Sequence, residues 1–414
     1  MTFPAYPEYK DSGVEWIGKV PEHWQINQLK RLLALQNGVD YKKVESESGY
    51  PVIGSGGQFA FATEYLFDGE SILLGRKGTI DKPLYVSERF WTVDTMYWSK
   101  VKSNTFGKFA YYATLTIPFE YYSTNTALPS MTKGSLDMHQ VATPSFQEQK
   151  IIANFLDFET SKIDSLIKEQ EKLIELLNEK RQSIISNAVC RGLDPNVPMK
   201  DSGVEWLGMV PEHWEIKSVK KIAKLDGGAG FPDDEQGKTD DPIPFFKVAD
   251  LANGLTSSEN SVSEEVARLL RAKIFPIGTI AFAKVGAALL LNRRVLMTIS
   301  GCVDNNMMVA MCHPETSPYW LTYFLRTIDF VWFVNPGAVP SVNQEQIGGI
   351  RVPVPPASEQ ISIVNFLDYE TAKIDELKSE AVKASQILQE RRLALISAAV
   401  TGQIDVRHFQ PKAS

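Results

Sequence analysis

The stretch Asn154-Phe155-Leu156-Asp157-Phe158-Glu159-Thr160-Ser161-Lys162-Ile163-Asp164 decides the reading of this chain, because it occurs twice. Its second copy is Asn365-Phe366-Leu367-Asp368-Tyr369-Glu370-Thr371-Ala372-Lys373-Ile374-Asp375, changed only at Phe158/Tyr369 and Ser161/Ala372. Upstream, Lys10-Asp11-Ser12-Gly13-Val14-Glu15-Trp16 leads into Val20-Pro21-Glu22-His23-Trp24. The same words return as Lys200-Asp201-Ser202-Gly203-Val204-Glu205-Trp206 and Val210-Pro211-Glu212-His213-Trp214. A chain of 414 residues that repeats both a Trp-rich box and a helix start is a tandem duplication of one unit: box, variable body, long helix.

Outward from the repeated stretch, each helix has a legible start and stop. Ser145 and Glu148 fit a capping box behind Pro144. From Ile163, positions 163, 166, 170, 173, 177, 180, 184 and 187 follow the three-four alternation of a coiled-coil seam, and 374, 377, 381, 384, 388, 391, 395 and 398 keep the same register in the second copy. Arg191-Gly192-Leu193-Asp194-Pro195 ends the first helix and Gly402 the second. A seam left in water is unfavourable, so each helix is expected to bury it against the other copy. Two like units on one chain relate naturally by a pseudo-twofold axis, which predicts an antiparallel coiled coil.

The implied boundaries are a box at 1–24, a first body at 25–146, the central helix and its linker at 147–199, a second box at 200–214, a second body at 215–357, the C-terminal helix at 358–402 and a tail at 403–414. Boxes recur at an interval of 190 residues (Trp24, Trp214) and helix starts at 211 (Phe155, Phe366), so the second body is the longer. Short apolar runs such as Ser71-Ile72-Leu73-Leu74 and Leu84-Tyr85-Val86 lie between Gly and Pro punctuation and read as strands and turns, while Phe106 to Leu115 reads as a short helix. The fold class is therefore α+β. Val93-Asp94 answers Val303-Asp304, and Ala127-Leu128-Pro129-Ser130 answers Ala338-Val339-Pro340-Ser341. His23 and His213 have no Cys, Asp or second His at ligand or triad spacing and read as buried, hydrogen-bonded residues that fix each box.

Net charge is −7, and the three cysteines (Cys190, Cys302, Cys312) make no disulfide framework. Together with the absence of a signal-peptide pattern or a bilayer-length apolar run, this predicts a protein of the reducing cytoplasm. Charge is distributed unevenly. Residues 70–108 carry seven basic residues against four acids, and 268–303 carry six and no acid. Arg and Lys neutralise phosphates, and Arg, Asn and Gln also pair with base edges. The candidate DNA-contacting residues are Arg76, Lys77, Lys82 and Asn125 in the first body, and Arg268, Arg271, Lys284, Arg293, Arg294 and Asn305 in the second. On the helices, Glu159, Lys162, Glu370 and Lys373 are candidates for holding a partner, or else form intrahelical ion pairs.

The tandem Asn-Phe-Leu-Asp-x-Glu-Thr-x-Lys-Ile-Asp helices and the paired Ser-Gly-Val-Glu-Trp…Pro-Glu-His-Trp boxes resemble those of the specificity (S) subunit of type I restriction–modification enzymes. The approach Pro-Ser…Val-Pro-x-Pro-Pro…Glu-Gln to the second helix fits as well, whereas the first copy has Val141-Ala142-Thr143-Pro144 in place of the proline-rich form. The resemblance implies two target recognition domains, each reading half of a split sequence on double-stranded DNA. It also implies conserved helices that set the gap between the halves and dock two modification (M) subunits. Those subunits bind S-adenosylmethionine and methylate adenine, and restriction (R) subunits add ATP- and Mg-dependent translocation and cleavage. The S chain itself is implied to be non-catalytic, with no cofactor or metal of its own.

The residues agree with that reading. Gly237-Lys238-Thr239 lacks the earlier Gly of a phosphate loop, having Pro232 there, and Asp233, Asp234 and Glu235 would repel phosphate. Asn335-Pro336-Gly337 lacks the second Pro and the aromatic ring of an amino-group methyltransferase motif. The rival functions are a stand-alone DNA methyltransferase or nuclease, which would need a cofactor or metal motif, and a coiled-coil adaptor that never touches DNA.

Overall fold

The computed structural model describes residues 3–122, 129–334 and 339–410. They form two compact units, one of Met1–Lys172 with Ala381–Ser414 and one of Leu173–Glu380. Four helices carry and position the bodies: α1 (Gly107–Thr114), α2 (Phe146–Arg191, 46 residues), α3 (Pro318–Thr327) and α4 (Ala357–Val400, 44 residues). The long helices α2 and α4 lie within a residue or two of their expected bounds, and each contributes part of its length to each unit. Among the described residues no helix is long and apolar enough to cross a membrane.

In the first unit, the body is built on the sheet β1 (Leu33–Asn37), β2 (Ser71–Gly75), β3 (Leu84–Val86) and β4 (Met96–Val101), ordered β1-β4-β2-β3 and antiparallel throughout. All five residues of β2 are buried, which explains its unbroken apolar run. Strand Gln140–Thr143 pairs antiparallel with Gln25–Gln28 and so brings the end of the body beside its beginning, at the start of α2. The box is a hairpin, Tyr9–Asp11 against Lys19–Pro21, and it delivers Trp24 into the core. That core joins Trp24, Leu74 and Phe109 to Ile152, Phe155 and Leu156 of α2 and to Ile396, Ala399 and Val400 of α4. Asp164 of α2 accepts from Arg392 Nε of α4 at 2.8 Å.

The second unit repeats the plan. Strands β5 (Ala223–Gly227), β6 (Ile280–Ala283), β7 (Arg294–Leu296) and β8 (Met307–Cys312) are ordered β5-β8-β6-β7 and antiparallel. Its core joins Trp214 and Trp320 to Ile185, Ala188 and Val189 of α2 and to Ile363, Val364 and Leu367 of α4. Arg181 of α2 meets Asp375 of α4 at 3.4 Å, the repeat counterpart of the Arg392–Asp164 pair.

The helix ends show why glycine stands at 192 and 402. Both residues have positive φ (78° and 74°), and the missing Cβ of each faces its unit's box, the Trp214 ring for Gly192 and the Pro21 ring, then Trp24, for Gly402.

Three expectations need correction. The covered face of α2 runs 163, 167, 170, 174, 177, 181, 184, 188, a four-three alternation, while Leu166 and Leu173 are exposed. In α4 it runs 374, 378, 381, 385, 388, 392, 395, 399, with Leu377 exposed. The pairs Leu166/Ile167 and Leu173/Ile174 put an apolar residue on either choice of phase, so periodicity could not decide between them. The second correction is a one-residue slip. Gly38 packs against the Val93 carbonyl as Gly228 packs against that of Asp304, so Val93 answers Asp304 rather than Val303. Third, His23 and His213 are hydrogen-bonded but have about half-exposed side chains, and the buried box residues are Trp24 and Trp214. The bridges from Lys77 to Ser130 and from Val285 to Ser341 do match Ser130 with Ser341. Ala127, Leu128, Ala338 and the Asn335-Pro336-Gly337 triplet lie outside the described residues.

A buried histidine makes the stability of the first unit sensitive to acid. His139 is 3% exposed, its Nδ1 contacts the Tyr122 hydroxyl at 2.9 Å, and Trp16 stacks on its ring. Burial pulls its pKa down to about 4. The corresponding residue of the second unit is Ile350. Because the unfolded chain binds this proton near its ordinary pKa of about 6.5 and the folded chain does not, stability is complete above that value and falls as pH drops toward 4. A loss of about 2 kcal/mol is expected at pH ~5. Urea unfolding of wild type and His139→Ile at about pH 7.5 and pH 5 should show the difference between the two pH values shrinking by that amount in the variant.

Candidate nucleic-acid interface

Each body is held on its long helix by the same polar clamp, more deeply buried in the first copy than in the second. Ser145 Oγ accepts the Glu148 backbone N–H at 3.3 Å, which is one half of the expected capping box. The Glu148 side chain does not return the bond. It accepts from Tyr6 Oη (2.8 Å), His23 Nε2 (3.0 Å) and Trp24 Nε1 (3.2 Å), tying the box to the helix start. Glu359 repeats this with His213 Nε2 (2.6 Å) and Trp214 Nε1 (2.9 Å). Next along, Gln149 accepts from the Phe106 N–H and donates to the Asn104 and Pro144 carbonyls, as Gln360 accepts from Ser317 and donates to Glu315 and Pro355. Two residues beyond Phe155, Asp157 accepts from the Tyr112 hydroxyl (2.8 Å) and pairs with the Lys108 ammonium; Asp368 accepts from the Tyr323 hydroxyl (2.6 Å). These glutamates, glutamines and aspartates were missed as functional residues, although their identity in both copies was visible.

What the clamp presents differs between bodies. After β2 the chain leaves the sheet as Arg76-Lys77-Gly78, and after β6 as Lys284-Val285-Gly286. Both turns reach the same neighbours: Gly78 N–H donates to Pro129 O, and Gly286 N–H to Pro340 O. Arg76 is half-buried, its Nη1 donating to the Asp94 carbonyl at 3.3 Å, and Lys77 is exposed beside it. Lys284 is half-buried, and its backbone N–H bonds the carbonyl of Asn306, whose neighbour Asn305 is exposed. The structure thus brings Arg76 together with Lys77, and Lys284 with the Asn305-Asn306 turn. Lys82 stands exposed in the loop before β3. Arg268 is exposed but paired with Glu264 (3.3 Å), and Arg271 is exposed in a left-handed backbone conformation (φ 53°). Asn125 lies outside the described residues.

Arg293 and Arg294 part company. Arg293 is exposed, whereas Arg294 is 1% exposed, its guanidinium 3.6 Å from the centre of the Phe330 ring and its Nη2 donating to Ile328 O. A surface role for Arg294 is therefore corrected. Alternation on β7 turns successive side chains to opposite faces, and this one points inward. Burial draws its pKa down to about 9, so it stays charged at neutral pH.

The family model described as type I restriction modification DNA specificity domain matches residues 21–176 and, a second time, residues 211–384. The chain belongs to this family. Relatives include the EcoDI specificity subunit of Escherichia coli, 21% identical over 94% of this chain and 90% of its own, and the MjaIX specificity subunit of Methanocaldococcus jannaschii, 22% identical over 84% and 86%. A solved structure from a type I R-M system, described for its complex assembly and conformational transition, superposes with a TM-score of 0.71 at 12% identity, covering 92% of this chain and 98% of that one. The HsdS subunit from Thermoanaerobacter tengcongensis gives 0.52 at 12% identity over 93% and 98%. The two matched segments of the specificity family each begin inside a box and run past the repeated stretch of the following long helix, so Glu148, Gln149 and Asp157 fall within the first match and Glu359, Gln360 and Asp368 within the second.

The helix surface of this specificity-family chain is unevenly covered. Glu159 pairs with Lys162 (3.1 Å) and Glu370 with Lys373 (3.3 Å), and each lysine also sits over a ring, Phe158 or Tyr369. Around the first copy, Phe3 and Phe409 pack on Phe155, and Phe409 also on Phe158. In the second copy Phe366 and Tyr369 are exposed, and Asn154 and Asn365 are exposed in both.

Proposed function

We propose that this chain is the sequence-reading subunit of a type I restriction–modification complex, non-catalytic itself, and that each body reads one half of a split target on double-stranded DNA. The observation that carries this is one clamp built twice beneath different surfaces. Glu148/Glu359 keep the box His and Trp, Gln149/Gln360 the same three backbone groups and Asp157/Asp368 a Tyr hydroxyl, while the turn after β2 or β6 changes from Arg76-Lys77 to Lys284-Val285 and its backbone partner from Thr95 to Asn306. A scaffold held constant while its polar edge varies is what independent reading of two half-sequences requires.

In this reading α2 and α4 pair as an antiparallel coiled coil that fixes the gap between the half-sequences. The Asp164–Arg392 and Arg181–Asp375 contacts support it, since each joins the N-terminal half of one helix to the C-terminal half of the other. The leucines left exposed on the helices (Leu166, Leu173, Leu176, Leu377), with Glu159, Lys162, Glu370 and Lys373 nearby, form the surface for two modification subunits. Those subunits carry S-adenosylmethionine and methylate adenine, and restriction subunits carry ATP and Mg. Mapping modified adenines across the host genome tests the proposal. One bipartite sequence with a constant gap is expected, and replacing residues 215–350 with the body of another family member should change one half only. Methylation of a single unbroken sequence, or both halves changing together, would refute it.

A further inference from the structure

We propose that the cleft lined by Arg293, Arg294 and Arg326 in the second body is a binding site for one phosphate group. The cleft is about 410 Å³, and Asn292, Gly254 and Leu251 complete much of its wall. Three arginines line it, with no carboxylate among the lining residues. Arg294 holds the decisive position. It is buried, yet its Nε and Nη1 have no hydrogen-bond partner among the described residues. Two unpaired charged N–H groups in a protein interior are costly unless something accepts from them. The nearby carboxylate is turned elsewhere, because Asp329 Oδ1 accepts from Asn292 Nδ2 (2.8 Å) and from the Val331 N–H (3.0 Å). Arg326 is tethered by its Nε to the Arg294 carbonyl (3.1 Å), which leaves its two terminal nitrogens for a ligand. Asn292, at φ 54°, bends the chain so that Arg293 and Arg294 follow directly into the cleft wall.

The duplicated fold provides an internal control. Matched through the strand registers, Arg294 falls where the first body has Pro83. Arg326, three residues after the clamped Tyr323, falls where it has Leu115, three after Tyr112. The same sheet and helix are therefore built without either arginine, so the fold does not require them. A planar guanidinium presents paired donors that suit a phosphate's oxygens, and three around one cleft suit a group carrying one or two negative charges.

The phosphate could belong to a DNA backbone, which rests on the reading of the chain as a DNA-binding subunit, or be free. The test has two arms. In the first, the full-length chain alone is titrated with sodium phosphate against sodium chloride at equal ionic strength, and binding is followed by calorimetry. Saturable binding is expected, weakened about tenfold or more in Arg326→Gln and in Arg293→Ala, both exposed positions that spare the core. No binding, or equal binding by both variants, overturns the site. In the second, the chain with its modification subunits is bound to duplex DNA over a range of salt. A slope of log K against log salt reduced by about 1 in Arg326→Gln assigns the phosphate to DNA. An unchanged slope with the first arm positive assigns it to a free anion. If the complex binds no DNA, the reading function fails while the first arm still judges the cleft.

Discussion

Replacing Glu148 with Ala should cost the first unit about 4 kcal/mol and make it unfold ahead of the second. Glu148 is 5% exposed and is the acceptor for Tyr6, His23 and Trp24, of which Tyr6 and Trp24 are themselves buried. Removing the carboxylate strands two buried donors at ~1–3 kcal/mol each and takes an acid from the first turn of α2, worth roughly 0.5 kcal/mol more. Glu359 is the comparison. Its side chain is 40% exposed, and it accepts from His213 and Trp214 with no tyrosine joining them among the described residues. Glu359→Ala should cost about half as much, because water reaches the groups it leaves behind. Urea unfolding followed by tryptophan fluorescence checks both. A single unshifted transition for Glu148→Ala would mean that the box is held by packing alone. Glu148→Gln should recover part of the loss, since an amide oxygen still accepts.

The second large effect is on target choice. If the paired helices set the gap, deleting a matched heptad, 170–176 from α2 and 380–386 from α4, should shorten the gap and leave both half-sequences unchanged. Seven residues at ~1.5 Å each amount to about 10 Å, or roughly 3 base pairs at ~3.4 Å. A heptad keeps the covered positions on one face, so the core ends of both helices should survive. Adenine methylation mapped for the deletion variant should show the contracted gap. Retention of the original gap would show that something other than the helices fixes it. Deleting the heptad from one helix alone should abolish methylation, because Asp164 could no longer meet Arg392 while Arg181 meets Asp375.

Much of this molecule was legible in its sequence, for a physical reason. Duplication turns one chain into its own comparison, so the box, the helix starts at Asn154 and Asn365 and the glycine stops at 192 and 402 could be recognised without any relative. Three things escaped. The phase of the covered helix face was hidden because adjacent apolar residues, Leu166 and Ile167, satisfy either alternation. The work of Glu148 was hidden because an acid in a first helical turn is already explained by capping, and only the fold shows Tyr6 and Trp24 converging on it from more than 120 residues away. Arg294 stands with Arg293 among the candidate DNA contacts, because a pair of arginines does not reveal which side of a strand faces water. The signal available was the alternation itself, Arg293 and Arg294 standing at the start of the short apolar run Val295-Leu296.

The first unit is assembled from stretches that leave the ribosome far apart in time. Its core needs Ile396, Ala399 and Val400, and the Asp405 N–H donates to the Pro4 carbonyl, whereas the second unit is drawn from the unbroken span Leu173–Glu380. At ~5–20 residues per second, more than ten seconds separate translation of Lys172 from that of the residues that complete its neighbourhood. The later-encoded half can therefore finish folding before the earlier one, and the earlier one spends that interval with its apolar helix face open to chaperones.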